Sequence, residues 1–368
     1  MSYLVDRITS IESPALLLFL PIIRRNLERM IELAGDLDRL RPHVKTHKMP
    51  DLIRMLEARG VRKHKCATLA EAEMVARAGG RDVLLAYPLL GPNVRRFIEL
   101  RSRHPNVAFR ATVDHAEAAR LLARAAIEAG GKPVPTLVDL DLGMGRTGIA
   151  PDRALELYRL VGSLPGLEPD GLHGYDGHLR QADVSERTQA SVAGTEGLLA
   201  LRSSLLAEGL PVPRLVLGGT PTFPIHADDQ TAGVECSPGT CLLYDDSYGK
   251  RFPDLPFEPA ALLLGRVISK PRDNRLCLDI GSKAVAADPQ GDRLRLLNFT
   301  YNSLGPQSEE HLVVNLEDAA SVPLGQCVLA VPTHVCPTCA LYREAIVIDD
   351  GAIVDRWPIT ARDRQLQD

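Results

Sequence analysis

The sequence has no apolar run approaching the ~18 residues that a bilayer-spanning helix needs, so no transmembrane segment is expected. Its N-terminus, Met1-Ser2-Tyr3-Leu4-Val5-Asp6-Arg7, lacks the basic-then-apolar layout of a signal peptide. Neither sign of charge is in surplus. A net charge of -4 and a pI near 6.2 leave no electrostatic case for nucleic acid or an anionic membrane. The seven cysteines are odd in number and scattered, which argues against a disulfide framework and leaves thiols for packing or metal. A cytoplasmic location follows as the expectation. Also missing are a low-complexity tail, a long internal repeat and a GxGxxG after the first strand-like run, the last of which weakens a dinucleotide-binding reading.

What is present is a chain of 368 residues, long enough for a large core and two domains. Short apolar runs alternate with helical patterns. Ala15–Leu20, Leu40–Lys45, His64–Thr68, Asp82–Tyr87, Val107–Thr112, Thr136–Leu140, Gly171–Tyr175 and Arg214–Leu217 read as strands. Helical stretches separate them, among them one from Pro21 to Gly35 and one opened by the capping box Thr68-Leu69-Ala70-Glu71. Strict alternation predicts a parallel sheet, and eight strands predict a (β/α)8 TIM-like barrel over residues 13–250. After the proline-rich connector Arg251–Pro259 the runs are short and β-like, which predicts a smaller all-β domain over 251–368, with residues 1–12 as a possible addition.

One stretch concentrates charge inside this pattern: Arg41-Pro42-His43-Val44-Lys45-Thr46-His47-Lys48. A lysine ending a buried strand among other cations should have a lowered pKa, as a Schiff-base nucleophile requires. The competing reading is a basic solvated loop. Barrel chemistry sits at the C-terminal ends of the strands. Those ends bring Lys45, Thr68, Tyr87, the turn Asp141–Gly148 with Arg146, Tyr175-Asp176-Gly177-His178 and Gly218-Gly219-Thr220 to one rim. The last group offers open backbone N–H groups and a hydroxyl to a phosphate. An activated lysine and a phosphate loop at one barrel mouth fit pyridoxal 5'-phosphate, with Lys45 as its covalent anchor. Tyr175 and His178 are candidate acid–base groups, against a plainer role as hydrogen-bonders of the rim.

The second domain carries Pro332-Thr333-His334-Val335-Cys336-Pro337-Thr338-Cys339. In an extended segment His334 and Cys336 point to one side and make half of a divalent-metal site that suits zinc. Cys336 and Cys339 also form a CxxC. A redox pair needs the start of a helix in a βαβ context, whereas this region reads as β. Glu309, Glu310 and His311 offer another ligand or a solvated turn.

These stretches resemble fold-type III pyridoxal-phosphate enzymes, the alanine-racemase-like barrels, and within them the D-threonine aldolase and D-serine dehydratase branch. Matching segments run from near residue 14 to the C-terminus and include Arg41–Lys48, Gly145–Gly148, Tyr175–His178, Gly218–Thr222, Pro238–Thr240 with Tyr244-Asp245, Glu309–His311 and His334–Cys336. The resemblance implies a homodimer in which Lys45 holds the cofactor. Arg146 faces its phenolic oxygen, with Tyr175 also at the cofactor. Gly218, Gly219 and Thr220 take the phosphate, helped by Tyr244. His334 and Cys336 hold zinc, manganese or magnesium. The expected substrate is a β-hydroxy-D-amino acid, cleaved to glycine and an aldehyde. Dehydration to a 2-oxo acid and ammonia, racemisation, a non-catalytic cofactor carrier and a thiol oxidoreductase are the rivals. Two departures stand out. Ser237 occupies a position where the wider family often has an arginine facing the ring nitrogen, and His-x-Cys matches the dehydratase ligand pair rather than the aldolase His-x-Asp.

Overall fold

The computed structural model describes residues 3–366. By compactness the chain divides into two units. One comprises the residues up to Arg29, Thr46–Met49 and Thr240–Asp363; the other comprises Met30–Lys45, Pro50–Gly239 and the residues from Arg364. The strands in chain order are β1 (Ala15–Phe19), β2 (Lys63–Cys66), β3 (Asp82–Leu85), β4 (Ala108–Val113), β5 (Val134–Asp141), β6 (Leu167–Tyr175), β7 (Leu215–Leu217) and β8 (Val234–Cys236), followed by β9 (Ala261–Arg272), β10 (Arg275–Leu278), β11 (Leu294–Leu296), β12 (Ser303–Gln307), β13 (Leu312–Asn315), β14 (Cys327–Pro332), β15 (Glu344–Asp349) and β16 (Ala352–Pro358).

The unit built on 50–239 holds a seven-stranded sheet, β2 to β8 in sequential order, parallel throughout. Its curl is closed by the segment before Lys45. Leu40 bridges Cys236 of β8 on one edge, and His43 bridges Lys65 of β2 on the other. The expected strand Leu40–Lys45 is thus reduced to two isolated bridges, and Val44–Thr46 turns into a 3-10 helix. Pro42 lacks the N–H that a central strand would need, although its carbonyl still accepts from Lys65 N at 2.9 Å. The TIM-like reading holds, with one broken strand.

Two strand assignments change. The run at Ala15 is β1 of the other unit, paired parallel to β15 and antiparallel to β9. A short continuous apolar run reports burial on both faces but not the sheet it joins. The strand that replaces it in the barrel, β8, is only three residues long and leaves no periodic signal. Inside the barrel, Leu84, Leu137 and Val216 form a fully buried cluster from β3, β5 and β7.

Local signals place the helices. The helix Leu20–Ala34 stops at Gly35, whose φ of 71° only glycine takes without strain. Thr68 caps the helix Leu69–Arg77 by accepting from Glu71 N at 3.1 Å, and Glu71 Oε2 returns to Ala67 N at 2.6 Å. The other unit is a nine-stranded sheet ordered β12-β13-β10-β9-β1-β15-β16, with β14 on β9 and β11 on β14. It is not purely β, because helix Val335–Leu341 begins inside the His-x-Cys motif.

Below the barrel core lies a layer of charges that sequence reasoning missed. Arg41, fully buried, donates from Nε to Glu235 at 2.6 Å and from an Nη to Asp82 at 2.7 Å. Arg110 joins Asp82 to Asp170, Arg214 pairs with Asp170, and Lys63 reaches Glu235 at 2.9 Å. Burial would raise the Asp82 carboxyl, but Arg41 and Arg110 hold it far below the usual range. Arg41 is therefore committed to these carboxylates. The buried segment 40–43 is tied to β3 and β8 by charge as well as by the two bridges.

Candidate active site

At the C-terminal ends of the barrel strands three cations surround one aromatic ring. Lys45 Nζ is 5.2 Å, Lys65 Nζ 5.7 Å and Arg146 Cζ 5.0 Å from the centroid of Tyr175. Sequence reasoning named Lys45, Arg146 and Tyr175, and the fold brings these three together. Lys65 was missed, and it is the buried amine of the group, 1% exposed where Lys45 is half-buried. Burial first, and the Lys45 charge second, push the Lys65 amine down to about 7, against an opposing pull from Asp176 and Asp139. The available signal was a lysine inside a strand of a parallel sheet, where near-continuous apolar residues are the rule.

The rest of the octapeptide shapes the turn. His43 Nδ1 accepts from Lys45 N at 3.3 Å, and His47 Nδ1 accepts from Met49 N at 3.1 Å. Arg146 projects from a loop organised by Asp141, whose carboxylate accepts from Gly143 N and Gly145 N at 2.9 and 3.0 Å. Those N–H groups, Gly145 foremost, hold the carboxyl below its ordinary value. Tyr175 needs its neighbour to be glycine, since a Cβ on Gly177 would lie 2.0 Å from the phenol oxygen.

The glycine loop after β7 stands against the same ring, with a Cβ position at Gly219 only 3.1 Å from Tyr175 Cε2. Gly218 adopts φ +74° and would drive a Cβ to 2.5 Å from His226. Below the loop, Asp176 is 3% exposed; it accepts from Thr222 Oγ1 at 2.8 Å and meets His226 Nε2 at 2.8 Å. Thr222 Oγ1 in turn accepts from Gly219 N at 3.3 Å, and Thr220 Oγ1 from Gly239 N at 3.1 Å. Ser191 Oγ approaches the same His226 nitrogen at 3.5 Å. One nitrogen serving both Ser191 and Asp176 makes a brace, not a nucleophile relay.

The residues fit pyridoxal phosphate. An amine, a loop that closes on itself if a Cβ is added, and a guanidinium converge on one ring. Two polar atoms there, His178 Nδ1 and Ser237 Oγ, are buried without a hydrogen-bond partner among the described residues. His178 is half-buried, its ring against Gly143.

The remaining predicted site residues lie in the other unit. Tyr244 is buried at φ +49°, its ring against Tyr248 and Phe257 and its hydroxyl donating to Phe252 O at 3.4 Å. His334 is the N-cap of helix Val335–Leu341 and Cys336 lies in its first turn, so cap geometry, not an extended strand, sets the pair side by side. His334 Nδ1 meets Asp288 Oδ2 at 2.6 Å, a bond that fixes the orientation of the imidazole. Burial opposes protonation of His334, but Cys336 and Asp288 outweigh it and raise the ring to about 9. Cys336 Sγ also lies 3.2 Å from Oγ1 of Thr46, the residue after Lys45 in the chain. A soft thiolate and an oriented imidazole fit a divalent metal with open positions. Among the described residues no group of three or more His, Cys, Asp or Glu is placed for a metal. Glu309 and Glu310 pair with Lys283 instead. The CxxC does open a helix, contrary to the β reading, but Cys339 is wholly buried and its thiol is pushed well up by burial.

A barrel mouth of lysine, arginine and glycine loop fits a carbonyl cofactor, and comparison with known proteins gives the family. Residues 20–246 match the alanine racemase N-terminal domain family, and 260–348 match a serine dehydratase domain. The chain belongs to this family of fold-type III pyridoxal-phosphate enzymes and is a pyridoxal-phosphate-dependent lyase. It is 30% identical to a D-threonine aldolase of Arthrobacter sp over 97% of its own length and 94% of that protein's. With a D-threo-3-hydroxyaspartate dehydratase of Delftia sp. it shares 25% identity over 96% and 98% of the two chains. A solved D-threonine aldolase from Filomicrobium marinum superposes with a TM-score of 0.89 at 28% identity, covering 98% of each chain.

Proposed function

We propose that the protein is a divalent-metal-dependent lyase that cleaves β-hydroxy-D-amino acids to glycine and an aldehyde. The observation that carries the reading is the convergence of Lys45, Lys65 and Arg146 on Tyr175 beside the Gly218–Thr222 loop. Aldolases and a dehydratase of hydroxy-D-amino acids among the relatives support the substrate class. The working form is taken to be a homodimer.

Bound to Lys45, pyridoxal phosphate supplies an electron sink for the substrate's Cα. The loop Gly218-Gly219-Thr220, braced by Asp176 through Thr222, would take the phosphate. Arg146 would offer the cofactor ring a fixed positive charge, and Ser237, whose Oγ has no hydrogen-bond partner among the described residues, would offer it a hydroxyl. Tyr175 is the surface against which the cations are arranged. His178, with an unspent Nδ1, takes the proton from the β-hydroxyl. Lys45 Nζ would hold the proton exchanged at the substrate's Cα. His334 and Cys336 would hold a divalent metal, whose chemistry would be that of a Lewis acid. Cys336 favours a second reading, elimination to a 2-oxo acid and ammonia, since His-x-Cys matches the dehydratase pair.

The test is the visible absorbance of the purified chain, followed by D-threonine with and without EDTA. Glycine and acetaldehyde, lost on chelation, support the proposal. A 2-oxo acid with ammonia supports the second reading. No product from D-threonine or D-serine overturns both.

A further inference from the structure

Behind Lys45 the barrel interior carries a line of three polar side chains. Lys65 Nζ lies 3.4 Å from His173 Nε2, and His173 Nδ1 lies 2.6 Å from Asp139 Oδ1. They come from β2, β6 and β5, and all are buried, at 1%, 5% and 7% exposure. The Asp139 carboxylate accepts a hydrogen bond from His173 Nδ1–H, so Nε2 presents a lone pair to the amine. Lys65 therefore donates to His173, and Asp139 stands ready to stabilise an imidazolium. The same Lys65 Nζ faces Tyr175, the ring that Lys45 also faces.

We infer that Lys65, His173 and Asp139 form a buried proton line that serves Lys45, with Lys65 as the positioning residue for the Lys45 proton. The inference rests on the lyase reading. Balance is simple: an N–H bond on Lys45 breaks, an N–H bond on Lys65 forms, and the positive charge moves from one amine to the other. Lys65 can then pass a proton to His173 Nε2. No oxidant or co-reactant is needed. The Lys45 charge beside the buried Lys65 amine disfavours a second charge on Lys65. The groups facing Lys65 have opposed effects. Lys45 and Arg41 lower its amine and Asp176 and Asp139 raise it, while burial, the largest influence, leaves it near 7. His173 is itself lowered by burial first, with Lys65 and Arg146 acting the same way against Asp139.

A lysine that only fills space would not behave as follows. In the full chain carrying [13Cε]lysine, the Lys65 resonance, assigned by its loss in Lys65→Arg, should titrate near 7. Asp139→Asn should move that midpoint down and Lys45→Met should move it up. A midpoint in the ordinary lysine range, or one that neither variant moves, overturns the inference. This arm needs no turnover, so its outcome is separate from that of the lyase reading. In the holoenzyme, Lys65→Met, which keeps the side chain's length without its charge, should slow exchange of the glycine α-proton into D2O at least tenfold. The visible absorbance and the melting temperature should stay near those of the parent. Unchanged exchange with an intact chromophore overturns the relay. Exchange absent from the parent as well, with the resonance behaving as expected, overturns the lyase reading instead.

Discussion

Arg41→Ala tests whether the charge layer under the barrel carries the energy that positions Lys45. The guanidinium is completely buried and makes two short charged hydrogen bonds, to Glu235 and Asp82. Removing one partner of a buried pair costs about 3–5 kcal/mol, because the other is left charged in a poor solvent. Here the carboxylates are not abandoned. Asp82 keeps Arg110 and Glu235 keeps Lys63, which places the expected loss at the lower end, about 3 kcal/mol. For a unit of this size that is roughly 6–12 °C in melting temperature, read by circular dichroism at pH 7. The sign of the pH dependence follows from Asp82. Its folded carboxyl is depressed, so its contribution is complete above its ordinary pKa of about 4 and drains away as the pH falls toward the depressed value. The gap between parent and variant should therefore narrow below about pH 4. Adding Glu235→Gln to Arg41→Ala should cost much less than the sum of the two separate losses. Strict additivity, or a melting temperature within a degree or two of the parent, would refute the reasoning.

Other outcomes follow from single contacts. Asp176→Asn removes the anion that accepts from Thr222 and holds His226, so the cofactor should bind about tenfold more weakly, one lost charged hydrogen bond's worth; equilibrium dialysis measures it, and unchanged affinity would detach Asp176 from the phosphate loop. Gly177→Ala sets a Cβ in the place of the Tyr175 hydroxyl, so activity should drop at least tenfold (about 1.4 kcal/mol) while the fold persists; a fully active variant would show that the ring position is unimportant. Cys336→Ser should abolish bound divalent metal by elemental analysis and Cys339→Ser should not. The reverse pattern, or activity that depends on Cys339 and not on metal, would favour thiol chemistry.

The alternation of apolar runs and helical patterns is a local property, and it made the TIM-like class and the order of the rim loops legible without coordinates. Residue chemistry at strand ends likewise pointed to Lys45, Arg146, Tyr175 and Gly218–Thr220, because barrel topology sends every such end to one face. Sheet membership is not local. The run at Ala15 is buried on both faces in either unit, and only long-range pairing with β9 and β15 assigns it. The same holds for the identity of the buried amine. Neighbours in sequence made Lys45 look like the desolvated cation, yet burial is set by packing across strands, and packing gives that role to Lys65, held by His173 and Asp139 from two other strands. Arg41 joined the cations of its octapeptide on paper, whereas the fold turns it toward carboxylates from β3 and β8. Residue type states what a side chain can do; which charge it meets, and how dry that meeting is, depends on segments far away in the chain.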